Sequence, residues 1–157
     1  MKSFARGYLI IGALLAAMTT FVIADDVKDE AIKKDQKLIE GTWRIVALEL
    51  DGNKAGEDDA KKLTVVNGAD GTWSLRSEGN EISKGTSSLN PTNKLKTIDL
   101  MPADGDEKGK PHLGIYELGE KTRRLCFAPP GQPRPAEFSS ASGSQHVLVT
   151  FEREKTK

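Results

Sequence analysis

Gly41-Thr42-Trp43-Arg44-Ile45-Val46 and Val147-Leu148-Val149-Thr150-Phe151-Glu152-Arg153 are the first and last apolar runs of the chain beyond its leader. A Gly-x-Trp at the start of the first strand and an Arg at the end of the last are a pairing that can close an antiparallel sheet on itself. The indole plugs the base, and the guanidinium lies across its face as a cation–π lid worth about 0.5–2 kcal/mol. Gly41, Trp43 and Arg153 are therefore read as barrel-closure residues. Trp43 and Arg153 could instead line a ligand floor, but their place where the chain starts and ends its closure favours the structural role.

Between these runs the chain alternates short apolar stretches with turn chemistry. The predicted strands are 42–50, 62–67, 72–77, 81–89, 94–100, 112–118, 122–128 and 145–153. Asp51-Gly52, Asp70-Gly71, Glu78-Gly79-Asn80, Asn90-Pro91 and Gly119-Glu120 are among the connectors. The reading is all-β: an eight-stranded antiparallel up-and-down barrel, whose closure removes exposed sheet edges. The first strand changes phase between Ile45 and Leu48, as a bulge would cause. The fourth, Ile82 to Ser88, is weakly apolar on both faces, so it is expected to be a frayed strand rather than the polar side of a cavity.

Ahead of the barrel, Lys2 and Arg6 precede an uncharged stretch ending Val22-Ile23-Ala24 and then Asp25-Asp26. Residues 1–24 read as a signal peptide cut after Ala24, which places the mature chain in the periplasm or outside the cell. The rival is an N-terminal membrane anchor, since Tyr8 to Ala24 just reaches the ~17–25 apolar residues that span a bilayer. Residues 25–40, with Val27, Ala31, Ile32, Leu38 and Ile39 near helical spacing, are expected to form a short N-terminal helix against the outside or one end of the barrel domain, 41–157.

The 23 basic and 23 acidic residues balance, without a basic block, which leaves no electrostatic footprint for nucleic acid. Cys126 is the single cysteine, so no intrachain disulfide forms; Leu125-Cys126-Phe127 reads as strand interior, where a free thiol is inert packing. No cofactor, nucleophile-elbow, phosphate-loop or zinc-protease motif is present, and nothing singles out a catalytic pair, so the reading is non-enzymatic. Asp104, Asp106 and Glu107 read as a solvated turn rather than a cation site. His112 and His146 are too far apart in sequence for a local metal motif.

The chain resembles a known family. Gly41 to Val46, Asp51-Gly52, Asn90-Pro91 before Lys96-Thr97-Ile98-Asp99-Leu100, Gly114 to Leu118, Leu125 to Gly131, Arg134 to Phe138 and the terminal Arg153 carry the likeness. Together they are similar to the lipocalin-like domain of unknown function in many exported planctomycete proteins, over Leu38 to Arg153. The resemblance implies a lipocalin-like barrel behind a signal peptide and carries no catalytic residues with it. Phe127 stands where a Tyr is common in that family.

Alternation places Trp73, Leu75, Ile98, Leu100, Ile115, Leu125, Phe127, Val149 and Phe151 inward, as candidate ligand-lining residues. An eight-strand barrel is just wide enough to be filled by its side chains or to hold one small ligand. The leading expectation is an exported binding module holding a small apolar or amphipathic ligand in the barrel mouth. The alternative is a packed, ligand-free barrel that engages another envelope protein, with Pro129, Pro130, Gln132, Arg134 and Phe138 as the interaction loop. The structural reading of that loop is a stiff crossing over one barrel mouth with Phe138 as its plug.

Overall fold

The computed structural model describes residues 20–155. The leader and anchor readings, residues 1–24, fall largely outside them. Helix α1 (Thr20–Ile39) is followed by strands β1 (Gly41–Leu50) and β2 (Asn53–Lys54), a single turn α2 (Glu57–Ala60), and β3 (Leu63–Asn67), β4 (Thr72–Ser77) and β5 (Asn80–Asn90). The chain then forms β6 (Thr97–Pro102), β7 (His112–Leu118), β8 (Thr122–Phe127) and β9 (Val147–Arg153). Among the described residues no helix is long and apolar enough to cross a membrane.

Every neighbouring strand pair is antiparallel, in the order β1, β3 through β9, and β9 returns to pair with β1. This is a closed eight-strand barrel. The short β2 folds back on the end of β1 through Asp51 (φ 50°) and Gly52 (φ 80°). Two successive positive φ values define the tight hairpin turn that Asp-Gly favours. Glu78 (φ 50°) and Gly79 (φ 86°) repeat the device between β4 and β5.

Closure is built at the Gly41–Arg153 end. Trp43 is opposite Arg153 across the β1–β9 seam. It is fully buried, its indole N–H donates to the Ile39 carbonyl at 2.8 Å, and the Arg153 guanidinium stands 4.2 Å from its ring. Gly41 sits at φ 116°, and a Cβ there would lie 3.0 Å from Arg153 Nη1, so both conformation and space select glycine. Along the seam Ile45 faces Phe151 and Ala47 faces Thr150, which leaves Val46 as the extra residue of a bulge. That phase change keeps Trp43, Ile45 and Leu48 all inward.

The helix covers the same end. Its N-terminal part is exposed, with Val27 and Ile23 in solvent, whereas Asp35 and Ile39, one turn apart, are buried. Asp35 accepts hydrogen bonds from the Tyr116 hydroxyl (2.8 Å) and from Lys96 Nζ (2.8 Å), fastening α1 to β7 and to the segment before β6.

Three expectations are corrected. Strand β5 is not frayed: it is paired along both edges, to β4 and β6. Its small inward residues answer to the barrel's shape, since a Cβ on Gly85 would meet the Met101 carbonyl oxygen at 2.1 Å and the Trp73 ring at 2.7 Å. Ile115 faces outward rather than into the barrel. It pairs with Cys126, whose thiol reaches the Ser139 carbonyl, while the inward positions of β7 are His112, Gly114, Tyr116 and Leu118.

The proline-rich segment corrects the third. It lies along the outer wall and not over a mouth: Arg134 donates to the Ile98 (3.1 Å) and Gly114 (2.7 Å) carbonyls and pairs with Asp99 at 2.7 Å. Phe138 is stacked under Arg124 at 4.2 Å instead of plugging the barrel. This cover explains how Ile115, Cys126 and Ala128 are buried on an outer face.

Candidate functional site

The barrel interior is hollow. A cavity of about 570 Å³ runs from the closure plug toward the opposite end, within the size range of small-molecule sites. Inward residues Leu63, Val65, Leu75, Leu100, Phe127 and Val147 are only half-buried although they face the barrel axis, because that axis is unfilled. The interior is thus not packed by its own side chains.

Each of the eight barrel strands contributes by alternation. Of the candidate lining residues, Trp73, Leu75, Ile98, Leu100, Leu125, Phe127, Val149 and Phe151 line the cavity, and Ile115 does not. Trp73 is held by its indole N–H donating to the Thr86 carbonyl at 2.9 Å, which lays the ring beside Gly85. Polar relief on the wall comes from Ser83 and Ser87 of β5. The weakly apolar strand therefore contributes the polar side of the cavity.

The mouth is formed by Ile82, His112 and the loop carrying Asp104, Gly105, Asp106 and Glu107. Asp104 Oδ1 accepts from Ser83 Oγ at 3.1 Å and from the Lys84 N–H at 3.3 Å, tying this loop to β5. His112 meets the Phe127 ring edge-on, with centroids 6.0 Å apart, and its Nε2 is 3.7 Å from Glu107. Ile82, 56% exposed, adds an apolar lip.

No protein-family model, curated protein or solved structure matches this chain.

The closed end carries residues that the sequence reading did not single out. Arg123 of β8 is 3% exposed, lines the cavity, and lies 4.2 Å from the Phe151 ring and 4.8 Å from the Trp43 ring. Its Nη1 donates to Asn67 Oδ1 at 2.7 Å, and among the described residues its Nε has no partner. Burial, and secondarily the Arg153 charge, push this guanidinium down to about 9, which still leaves it cationic at neutral pH. Arg153 is supplied differently: it donates to the carbonyls of Glu120 (2.7 Å), Glu40 (2.7 Å) and Leu38. The alternation that turns Leu125 and Phe127 inward also turns residue 123 inward, so the signal was present in the β8 sequence. Tyr116 was missed with its partner Asp35. Burial and then the Asp35 hydrogen bond hold its phenol well above the ordinary tyrosine range.

Cys126 is sealed beneath the outer loop, and burial raises its thiol above the usual range. It has no contact with the cavity.

Proposed function

We propose that this chain is an exported, non-enzymatic binding barrel that holds a small apolar or amphipathic molecule in its interior. The observation that carries the reading is the cavity of about 570 Å³, walled by leucine, valine, isoleucine and aromatic side chains and open at one end. Apolar surface left facing an unfilled chamber gains by burial against an apolar ligand at roughly 25 cal/mol per Å². The leader sequence supports export. The loop offered for protein capture is engaged with its own barrel through Arg134 and Phe138, which favours the cavity as the binding surface.

The test is Nile red binding followed by dye emission and by quenching of Trp73, which lines the cavity. Saturable enhancement that disappears in Leu100→Trp, a variant that fills the chamber without touching the closure plug, supports the reading. Absence of binding by the stripped, folded protein overturns it.

A further inference from the structure

We propose that the ligand is an amphiphile with a single anionic, carboxylate-type head, seated head-inward on Arg123 and Asn67 at the closed end of the cavity. This rests on the cavity reading above and specifies the chemistry of its occupant.

The closure plug contains two arginines on one tryptophan, and they are treated differently. Arg153 spends its donors on three backbone carbonyls. Arg123, with five N–H donors to place, makes one hydrogen bond among the described residues, to the Asn67 amide oxygen. Among the described residues its buried Nε has no partner and no carboxylate pairs with the group. A buried cation is strongly disfavoured unless it is paired and hydrogen-bonded. The Trp43 and Phe151 faces offset part of this, but they accept no N–H hydrogen bond in the guanidinium plane. The group lines the cavity, so its Nη donors can find a partner in a molecule inside it.

A planar carboxylate matches the guanidinium fork. One negative charge neutralises one cation, whereas a dianionic head would leave a buried net charge. The Asn67 side chain, its oxygen already engaged, has an NH2 for a second hydrogen bond to the same head. From there the apolar wall of Phe151, Val149, Leu125 and Leu100 leads toward the mouth and suits an alkyl tail. The carboxylates at the mouth, Asp104, Asp106 and Glu107, disfavour the same head at the rim.

The experiment compares dodecanoate, dodecanol and dodecyltrimethylammonium, which share a tail, as competitors of Nile red on the purified protein and on Arg123→Met and Arg123→Lys. The expected result is that dodecanoate competes about tenfold or more better than dodecanol. This preference is lost in Arg123→Met and retained in part in Arg123→Lys. A cooperative urea transition shows that Arg123→Met is folded, and the head-group comparison on the unaltered protein needs no variant. Equal binding of dodecanoate and dodecanol, a preference for the cation, or a carboxylate preference that survives Arg123→Met overturns the inward head while leaving the cavity reading standing. Failure of Nile red and all three amphiphiles to bind overturns the cavity reading itself.

Discussion

Replacing Arg123 by methionine should make the empty protein more stable, although it removes a buried hydrogen bond and two ring contacts. Burial, and secondarily the Arg153 charge, hold the guanidinium down at about 9, well below the ordinary arginine range, and at ~1.4 kcal/mol for each tenfold change this sets the cost of keeping the charge there on the order of 5 kcal/mol. Against it stand contacts with Trp43 and Phe151, about 0.5–2 kcal/mol each. The single bond to Asn67 adds about 1.5–3 kcal/mol at most. These terms roughly cancel, and the methionine adds apolar burial of its own, so the balance should tip toward the variant. Substituting apolar residues for buried charges commonly yields about 1–4 kcal/mol, and a gain of about 1–3 kcal/mol is expected here. The assay is urea unfolding of ligand-stripped protein at neutral pH, with Arg123→Lys as the control that keeps the cation and should show no gain. A loss above about 1 kcal/mol in Arg123→Met would refute the reasoning. It would mean that the cation is fully supported by the plug and has no partner left to recruit.

Trp43→Ala should cost about 3–5 kcal/mol in the same assay, since a fully buried indole leaves a hole where the helix, β1 and β9 meet; a loss under about 1 kcal/mol would show that it is no plug. Tyr116→Phe should cost about 1.5–3 kcal/mol at neutral pH through the lost bond to Asp35. Because the folded-state phenol titrates above its unfolded value near 10, the folded chain holds more protons there and stability falls as pH rises through that value. The gap between Tyr116→Phe and the parent should therefore shrink above pH ~10 when unfolding is followed against pH. Arg134→Met removes the clamp on Ile98, Gly114 and Asp99; limited proteolysis should then cut near Gly131 faster while ligand affinity is unchanged.

Strand content and closure were legible because turns such as Asp51-Gly52 and Glu78-Gly79 punctuate the chain and because β4 and β9 alternate cleanly. The two residues of β2 and the single turn of α2 were not, since elements that short leave no periodic trace. Ile115 was misplaced for a physical reason: alternation identifies an inside only where the outside is wet, and here the segment from Pro129 to Ser140 covers the outer wall. The interior of β5 was misread because smallness at Ser83, Gly85 and Ser87 lowers strand propensity and also opens volume, and only geometry separates the two. Arg123 escaped notice because a charge at an inward position looks like a break in the pattern. The structure shows the pattern intact with a cation in it.

The unpaired Val46 gives β1 a place where chain length can change. On either side of it the partners are fixed, Ile45 with Phe151 and Ala47 with Thr150. Removing that one residue would join two stretches already in phase, restoring simple alternation while Trp43 and Leu48 keep their orientation. A deletion elsewhere in β1 would turn one half of the strand inside out. Single-residue length variation among descendants of this sequence should therefore collect at that point of the seam, where the barrel can shorten without reopening.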